Sequence, residues 1–185
     1  MFIMPVDKDL YIQLLETHHA SELYMLIEKN RLFLQEWLPW VAYTTTPEQV
    51  QQFIQLWLEQ FSQNNGFNGG IRYHQQLVGV IGMHHIDWQN LKTMIGYLLE
   101  ERAQGKGIMT KCTSVMLDYI FFEKGLHRVE ISCGEHNEKS CAIPERLRFK
   151  KEGVSRDGER LMNRFHSLIN YSMLRDEWLK LKEFK

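Results

Sequence analysis

The chain has 185 residues, 44% of them hydrophobic, with 22 basic against 23 acidic side chains and a formal charge of -1. That length suits one domain, residues 1–185, with a buried core, and the charge balance leaves no electrostatic footprint for nucleic acid or an anionic membrane. Three cysteines (Cys112, Cys133, Cys141), odd in number and widely spaced, match neither a disulfide framework nor a zinc site. No run reaches the ~18 apolar residues of a membrane helix, and the first residues carry no basic, apolar leader, so the expected location is the cytoplasm.

Leu10 to Leu15 reads as the first strand, followed by a helix from His18 to Asn30 with Leu23, Leu26 and Ile27 at helical spacing. Leu32 to Trp40 is an apolar stretch stopped by Pro39, and Trp37 and Trp40 suit either a cleft wall or a packed helix end. Thr46-Pro47-Glu48-Gln49 has the form of a helix start, with a hydroxyl cap, proline at the first position and Gln49 placed to close a capping box. That helix shows Val50, Phe53, Ile54, Trp57 and Phe61 on one face and ends near Asn64-Asn65-Gly66.

Ile71 to Tyr73 and Leu77 to Met83 form a hairpin around His74-Gln75-Gln76, and Asp87 to Asn90 turns the chain into a strand over Thr93 to Leu99. Gly96 in that strand marks a candidate bulge. A helix with Ile108, Cys112, Val115, Met116, Tyr119 and Ile120 in register closes at Lys124-Gly125. Arg128 to Cys133 is the fifth strand, Glu138 to Leu147 a helix, and Lys150 to Gly153 and Phe165 to Arg175 two last strands, with Arg156 to Asn163 between them or at the end of the first.

The junction at Gly96 to Lys111 is where chemistry is expected. A strand ends at Glu100-Glu101, two glycines follow at Gly105 and Gly107, and a helix opens at once. The first turn of a helix has unpaired N–H groups and about half a positive charge, which suits a phosphate or pyrophosphate, with Arg102 and Lys106 beside it. A plain strand-to-helix connection would read the same way. Gly107 is followed by Ile108 and Met109 rather than Lys-Ser/Thr, which excludes a Walker loop, and Thr110 stands where a dinucleotide fingerprint needs its third glycine.

Arg102-x-x-Gly105-x-Gly107 resembles the pyrophosphate-binding motif of the GNAT superfamily of acetyl-CoA-dependent N-acetyltransferases. Asn137-Glu-Lys-Ser140-Cys-Ala-Ile-Pro144-Glu-Arg-Leu147-Arg-Phe149 resembles the Asn-x-x-Ser-x-Ala-x-x-x-x-Leu-Gly-Phe segment of RimJ/RimL-type ribosomal-protein N-acetyltransferases, and Trp37-Leu38-Pro39-Trp40 resembles a segment near their start. Order and spacing agree over nearly the whole chain.

The resemblance implies an α+β fold: a mixed, mostly antiparallel, seven-stranded sheet flanked by helices, with a V-shaped opening between the fourth and fifth strands. It further implies acetyl-CoA as co-substrate, no metal, and direct transfer to a primary amine, with the N-terminal α-amine of a ribosomal protein as the expected acceptor. In that reading main-chain groups of Tyr97, Leu98 and Leu99 pair with pantetheine, and the loop from Gln104 and Gly105 through Lys106 and Gly107 to Ile108 and Met109, with Arg102, holds pyrophosphate. Asn137 contacts the cofactor, Ser140 protonates the leaving thiolate, and Glu159 takes the amine's proton.

Read without the resemblance, Asn137 and Ser140 are equally a helix-capping pair, and Glu159 a solvated strand carboxylate. An α-amine titrates near ~8 and is partly neutral at pH 7, unlike lysine near ~10.4, so weak base machinery favours an α-amine acceptor. Pro144 cannot donate to the Ser140 carbonyl, which makes that turn irregular. His84-His85 lies at a strand end, where neighbours point to opposite faces; one buried and one exposed histidine is expected, not a metal site.

Two positions depart from the family pattern. Arg148 replaces the glycine before Phe149, so it either disturbs a close approach near the acetyl end or points to water. Cys141 replaces an arginine that would meet phosphate. Other readings are a polyamine or aminoglycoside-type acetyltransferase, and a non-catalytic acyl-CoA-binding module. A second copy would pair, by analogy, through Leu161-Met162 and the last strand, giving a homodimer.

Overall fold

The computed structural model describes residues 2–183. One sheet of eight strands runs β1(Ile3–Asp7), β2(Leu10–Leu14), β3(Gly66–Tyr73), β4(Gln76–Asp87), β5(Lys92–Leu99), β6(Arg128–Gly134), β7(Lys150–Leu161) and β8(Arg164–Leu174), in the spatial order β1-β2-β3-β4-β5-β6-β8-β7. Helices α1(Ala20–Lys29), α2(Arg31–Leu34), α3(Pro47–Ser62), α4(Ile108–Asp118), α5(Glu138–Arg146) and α6(Arg175–Glu183) cover it. The expected seven strands are therefore eight, and the opening lies between β5 and β6.

The additional strand is β1. Pro5 within it argues against a strand in the sequence, since proline cannot donate to a ladder. The sheet resolves the conflict by placing β1 at an edge, where it pairs only with β2. At the other edge, residues 156–161, left open by the sequence between a connection and the end of the preceding strand, belong to β7, which continues past two irregularities in its pairing with β8. Water reaches both faces of β7, so no alternation of apolar and polar residues was available to reveal it.

The last element also differs from expectation. Residues 175–183 form α6, a helix anchored by buried Trp178, whose indole donates to Asp118 Oδ1 at 2.8 Å. Its single buried position is too little for periodicity to register.

The expected cap of α3 is present in both directions, Gln49 N–H to Thr46 Oγ1 at 3.4 Å and Thr46 N–H to Gln49 Oε1 at 3.2 Å. The His74-Gln75 turn has both residues at positive φ, 48° and 68°, the twist a two-residue hairpin requires. Adjacent residues on a strand face opposite layers, and Val80 and Ile81 accordingly enter two separate cores. One joins α1 and α3 to the sheet through Leu23, Val50 and Ile54; the other joins α4 through Cys112, Met116 and Leu117.

All neighbouring strands are antiparallel except β5 and β6, which run parallel for three residue pairs, Lys92–Arg128 to Met94–Glu130, and then part. Beyond Met94, β5 stays with β4 while β6 stays with β8. No bulge occurs at Gly96, which pairs in register with Gly82; the irregularity lies between His84 and Asp87. Gly96 serves instead to admit the His84 imidazole, whose Nε2 stands 3.1 Å from where a Cβ would be. Leu161 is buried within its own chain, leaving Met162 as the exposed member of that pair.

Arg148 resolves the first departure from the family pattern. It follows the end of α5 with φ 65°, and the bonds Arg148 N–H to Glu145 O (3.0 Å) and Phe149 N–H to Pro144 O (2.9 Å) form the two-bond helix stop that normally carries glycine. Its side chain is exposed. The left-handed backbone costs a non-glycine residue more than glycine loses in entropy. Arg148→Gly is therefore expected to stabilise the fold by about 0.5–1 kcal/mol, a rise of about 1–4 °C in Tm; a fall in a thermal melt would contradict this.

Candidate active site

The parting of β5 and β6 leaves a cleft of about 1140 Å³. Its walls come from the β5 edge (Tyr97, Leu98, Leu99), from the loop and start of α4 (Gln104, Gly105, Gly107, Ile108, Met109), from α5 (Asn137, Ser140) and from β7 (Glu159). Residues from four separate stretches of sequence thus meet in one opening.

At one end stands the N-terminus of α4. Gly105 and Gly107 sit at φ 74° and 73°, a left-handed conformation that glycine adopts without strain, and nothing lies within 4 Å of either Cβ position. Gly107 is the cap residue of α4 and has no side chain to bond the first-turn amides. Those N–H groups therefore present partial positive charge to the cleft.

Arg102 and Lys106 do not line it. Arg102 is exposed in the short helical turn Glu101–Ala103, and the Lys106 ammonium lies 5.7 Å from the Tyr73 ring centroid. The cations that line the cleft are Lys111, Lys139 and Arg146. Lys111 is tied to Asp7 at 2.7 Å, whereas Lys139 donates to Gln104 Oε1 at 2.9 Å and lies over Phe33. Lys139 stands inside the Asn137-to-Phe149 segment; only its helical phase aims it at the loop.

At the middle of the cleft is Ser140. Asn137 caps α5, its Oδ1 accepting from Ser140 N–H at 3.1 Å, so the capping reading holds alongside its place in the cleft wall. Ser140 Oγ lies 3.3 Å from Cys133 Sγ and 3.5 Å from Tyr97 OH. The Tyr97 hydroxyl donates to the Ser140 carbonyl at 3.1 Å. Burial, then the neighbouring Cys133, lifts the Tyr97 phenol well above its usual range, and burial pushes the Cys133 thiol up to about 11. Both groups are neutral hydrogen-bonding partners at pH 7.

Cys141 fills the place of the expected arginine with a buried thiol directed at the Gly134 carbonyl, 3.6 Å away, and brings no charge to the cleft.

Phe33, Trp37 and Leu38 form one wall, with Phe33 under Lys139 beside the loop, and Trp37 is a cleft residue. Trp40 packs instead against Phe53, ring centroids 6.3 Å apart. Glu159 faces the cleft with its Oε2 2.8 Å from His166 Nε2, a partnered carboxylate rather than a purely solvated one. His84 also lines the cleft while His85 is exposed, and burial, reinforced by His85, lowers the His84 pKa, which favours neutral imidazole. Among the described residues no cluster of histidine, cysteine and carboxylate side chains could hold a metal ion.

An eight-stranded mixed sheet split at one parallel pair, with an uncapped helix N-terminus at the split, is the α+β architecture that the resemblance implied, with one strand more. Residues 9–150 match the model of the acetyltransferase (GNAT) domain, and the chain belongs to that family of acetyltransferases. It is 36% identical over 179 residues to the putative ribosomal N-acetyltransferase YdaF of Bacillus subtilis (strain 168), covering 96% of this chain and 98% of that protein. It is 28% identical over 173 residues to the ribosomal-protein-serine acetyltransferase of Escherichia coli (strain K12), with 92% and 96% covered. Among solved structures, RimL, a ribosomal L7/L12 alpha-N-protein acetyltransferase in complex with coenzyme A, superposes with a TM-score of 0.92 at 27% identity, covering 95% of this chain and 99% of that one.

The raised thiol gives a direct check on the middle of the cleft. A thiol at about 11 has roughly 300-fold less thiolate at neutral pH than an ordinary cysteine at ~8.5. Alkylation of native Cys133 by iodoacetamide, followed by peptide mass mapping, is expected to be slow at pH 7.5 and to accelerate about tenfold per pH unit up to about 11. Rapid labelling at pH 7.5 would contradict this environment.

Proposed function

We propose that this chain transfers the acetyl group of acetyl-CoA directly to the N-terminal α-amine of a protein, with ribosomal proteins as the acceptor class, and that residues 1–185 act as one cytoplasmic domain. The observation that carries the reading is the convergence of the uncapped α4 N-terminus, Ser140 and Glu159 on one cleft. The names of the relatives, which act on ribosomal-protein serine and on uS5 alanine, support the acceptor class.

The donor set fits the coenzyme. First-turn amides of α4 and the loop from Gln104 to Met109 hold the diphosphate, where glycines at Gly105 and Gly107 keep the backbone open to it. Lys139 takes the place that Arg102 and Lys106 were expected to fill. The gap-side backbone of Tyr97 to Leu99, released from β6, pairs with pantetheine as a neighbouring strand would, and one N–H there polarises the thioester carbonyl.

The acceptor amine enters from the side of Trp37 and Glu159 and attacks the carbonyl carbon. Glu159 accepts the proton the amine loses; collapse of the tetrahedral intermediate breaks the C–S bond, and Ser140 gives its hydroxyl proton to the departing thiolate. Solvent carries the proton from Glu159 back to Ser140, so the net reaction is amine plus acetyl-CoA to amide plus CoA thiol. An α-amine, partly neutral near pH 7, needs no stronger base than a carboxylate.

Labelled acetyl-CoA with peptides bearing α-amines, lysine peptides with blocked N-termini, and polyamines tests this. Transfer to the α-amine peptides is expected, falling about 10²-fold in kcat for Ser140→Ala and for Glu159→Gln while coenzyme affinity is kept. Transfer to polyamines alone would replace the acceptor class, and unchanged kcat in both variants would remove the assigned roles. Gly107→Ala, which forces a side chain into a left-handed cap, is expected to weaken coenzyme binding by calorimetry about tenfold or more.

A further inference from the structure

Each polar group of Ser140 is held by a different element. Its N–H meets Asn137 before α5, its hydroxyl faces Cys133 on β6, and its carbonyl accepts from Tyr97 OH on β5 at 3.1 Å. The last of these is a consequence of Pro144. In a regular helix the carbonyl of Ser140 would accept from the N–H four residues on, but that residue is Pro144, which has none. A carbonyl so released needs another donor, and the phenol of Tyr97 supplies it from across the cleft.

We infer that Tyr97 is a positioning residue: its hydroxyl replaces the missing amide of Pro144, holds the first turn of α5 in shape, and thereby sets where the Ser140 hydroxyl stands. Proline makes the phenol necessary. With an amide at position 144 the carbonyl would be satisfied within α5, and the turn would keep its shape without the phenol. The same phenol lies 3.5 Å from Ser140 Oγ, so one side chain locates both the backbone and the hydroxyl of the residue. Because β5 and β6 are unpaired beyond Met94, this side-chain bond spans a stretch where the sheet itself does not join the two halves.

The inference rests on Ser140 as proton donor, and a double-mutant cycle separates the two. Tyr97→Phe keeps the ring and the main chain of β5 but removes the donor; kcat is expected to fall about 10–100-fold with KM for acetyl-CoA within about threefold, as misplacement of a reacting group produces. Pro144→Ala restores an amide to the Ser140 carbonyl, so Tyr97→Phe combined with Pro144→Ala is expected to regain most of the lost kcat. Amide hydrogen exchange over residues 138–143 gives a readout independent of turnover: faster in Tyr97→Phe, restored in the double variant, with thermal melts confirming that each variant folds.

A kcat loss that Pro144→Ala fails to rescue, in folded protein, would mean the phenol acts in another way and overturns the inference. Full activity in Tyr97→Phe beside a crippled Ser140→Ala overturns it while leaving the role of Ser140 standing. Full activity in Ser140→Ala overturns the role of Ser140 itself, and the inference with it.

Discussion

The parallel ladder between β5 and β6 ends after three residue pairs, and the active cleft exists because it ends. A sheet satisfies its backbone groups by pairing neighbours. Where two neighbours part, the backbone of β5 from Ile95 onward has a free side, and an extended ligand can complete it. The two strands part because each follows another partner, β5 going with β4 and β6 with β8. The ends of α4 and α5 lie at this split, one offering amide groups and the other a hydroxyl.

The gap has a structural cost, met by side chains. Tyr97 reaches from β5 to α5, Lys139 from α5 to the glycine loop, and Phe33 and Trp37 add an aromatic wall. The cleft is therefore framed by specific contacts between elements distant in sequence rather than by a continuous sheet. Burial keeps Tyr97 and Cys133 at its centre neutral, so neither of these neighbours of the Ser140 hydroxyl is an anion. Two of the ionisable groups that face the cleft are tied to neighbours, Lys139 to Gln104 of the loop and Glu159 to His166.

The residues show why some of this was legible in the sequence. The capping box at Thr46 and Gln49, the glycine loop at Gly105 and Gly107 and the Asn137-to-Ser140 cap are local: each is built from side chains and backbone within a few residues, so spacing alone reveals it. Strand β1 and the outer part of β7 were obscured because both are edges, where proline, bulges and double exposure suppress the period-two pattern. Arg102 and Lys106 fit the loop by type and position in sequence, yet their exposed side chains lie outside the cleft wall, and that depends on loop conformation.

By itself the chain order determined the helix starts, the glycine loop, the irregular turn at Pro144 and, through motif resemblance, the family. These follow from interactions within a few residues, for which the sequence is nearly a complete description. The tertiary structure alone decided that Gly96 makes room for His84 rather than forming a bulge, that Arg148 ends a helix in the left-handed region with its side chain in water, and that Lys139 reaches the loop at Gln104. It alone joined Tyr97 to Ser140, 43 residues apart, because only the packing of α5 against the split sheet brings a donor to the carbonyl that proline had released.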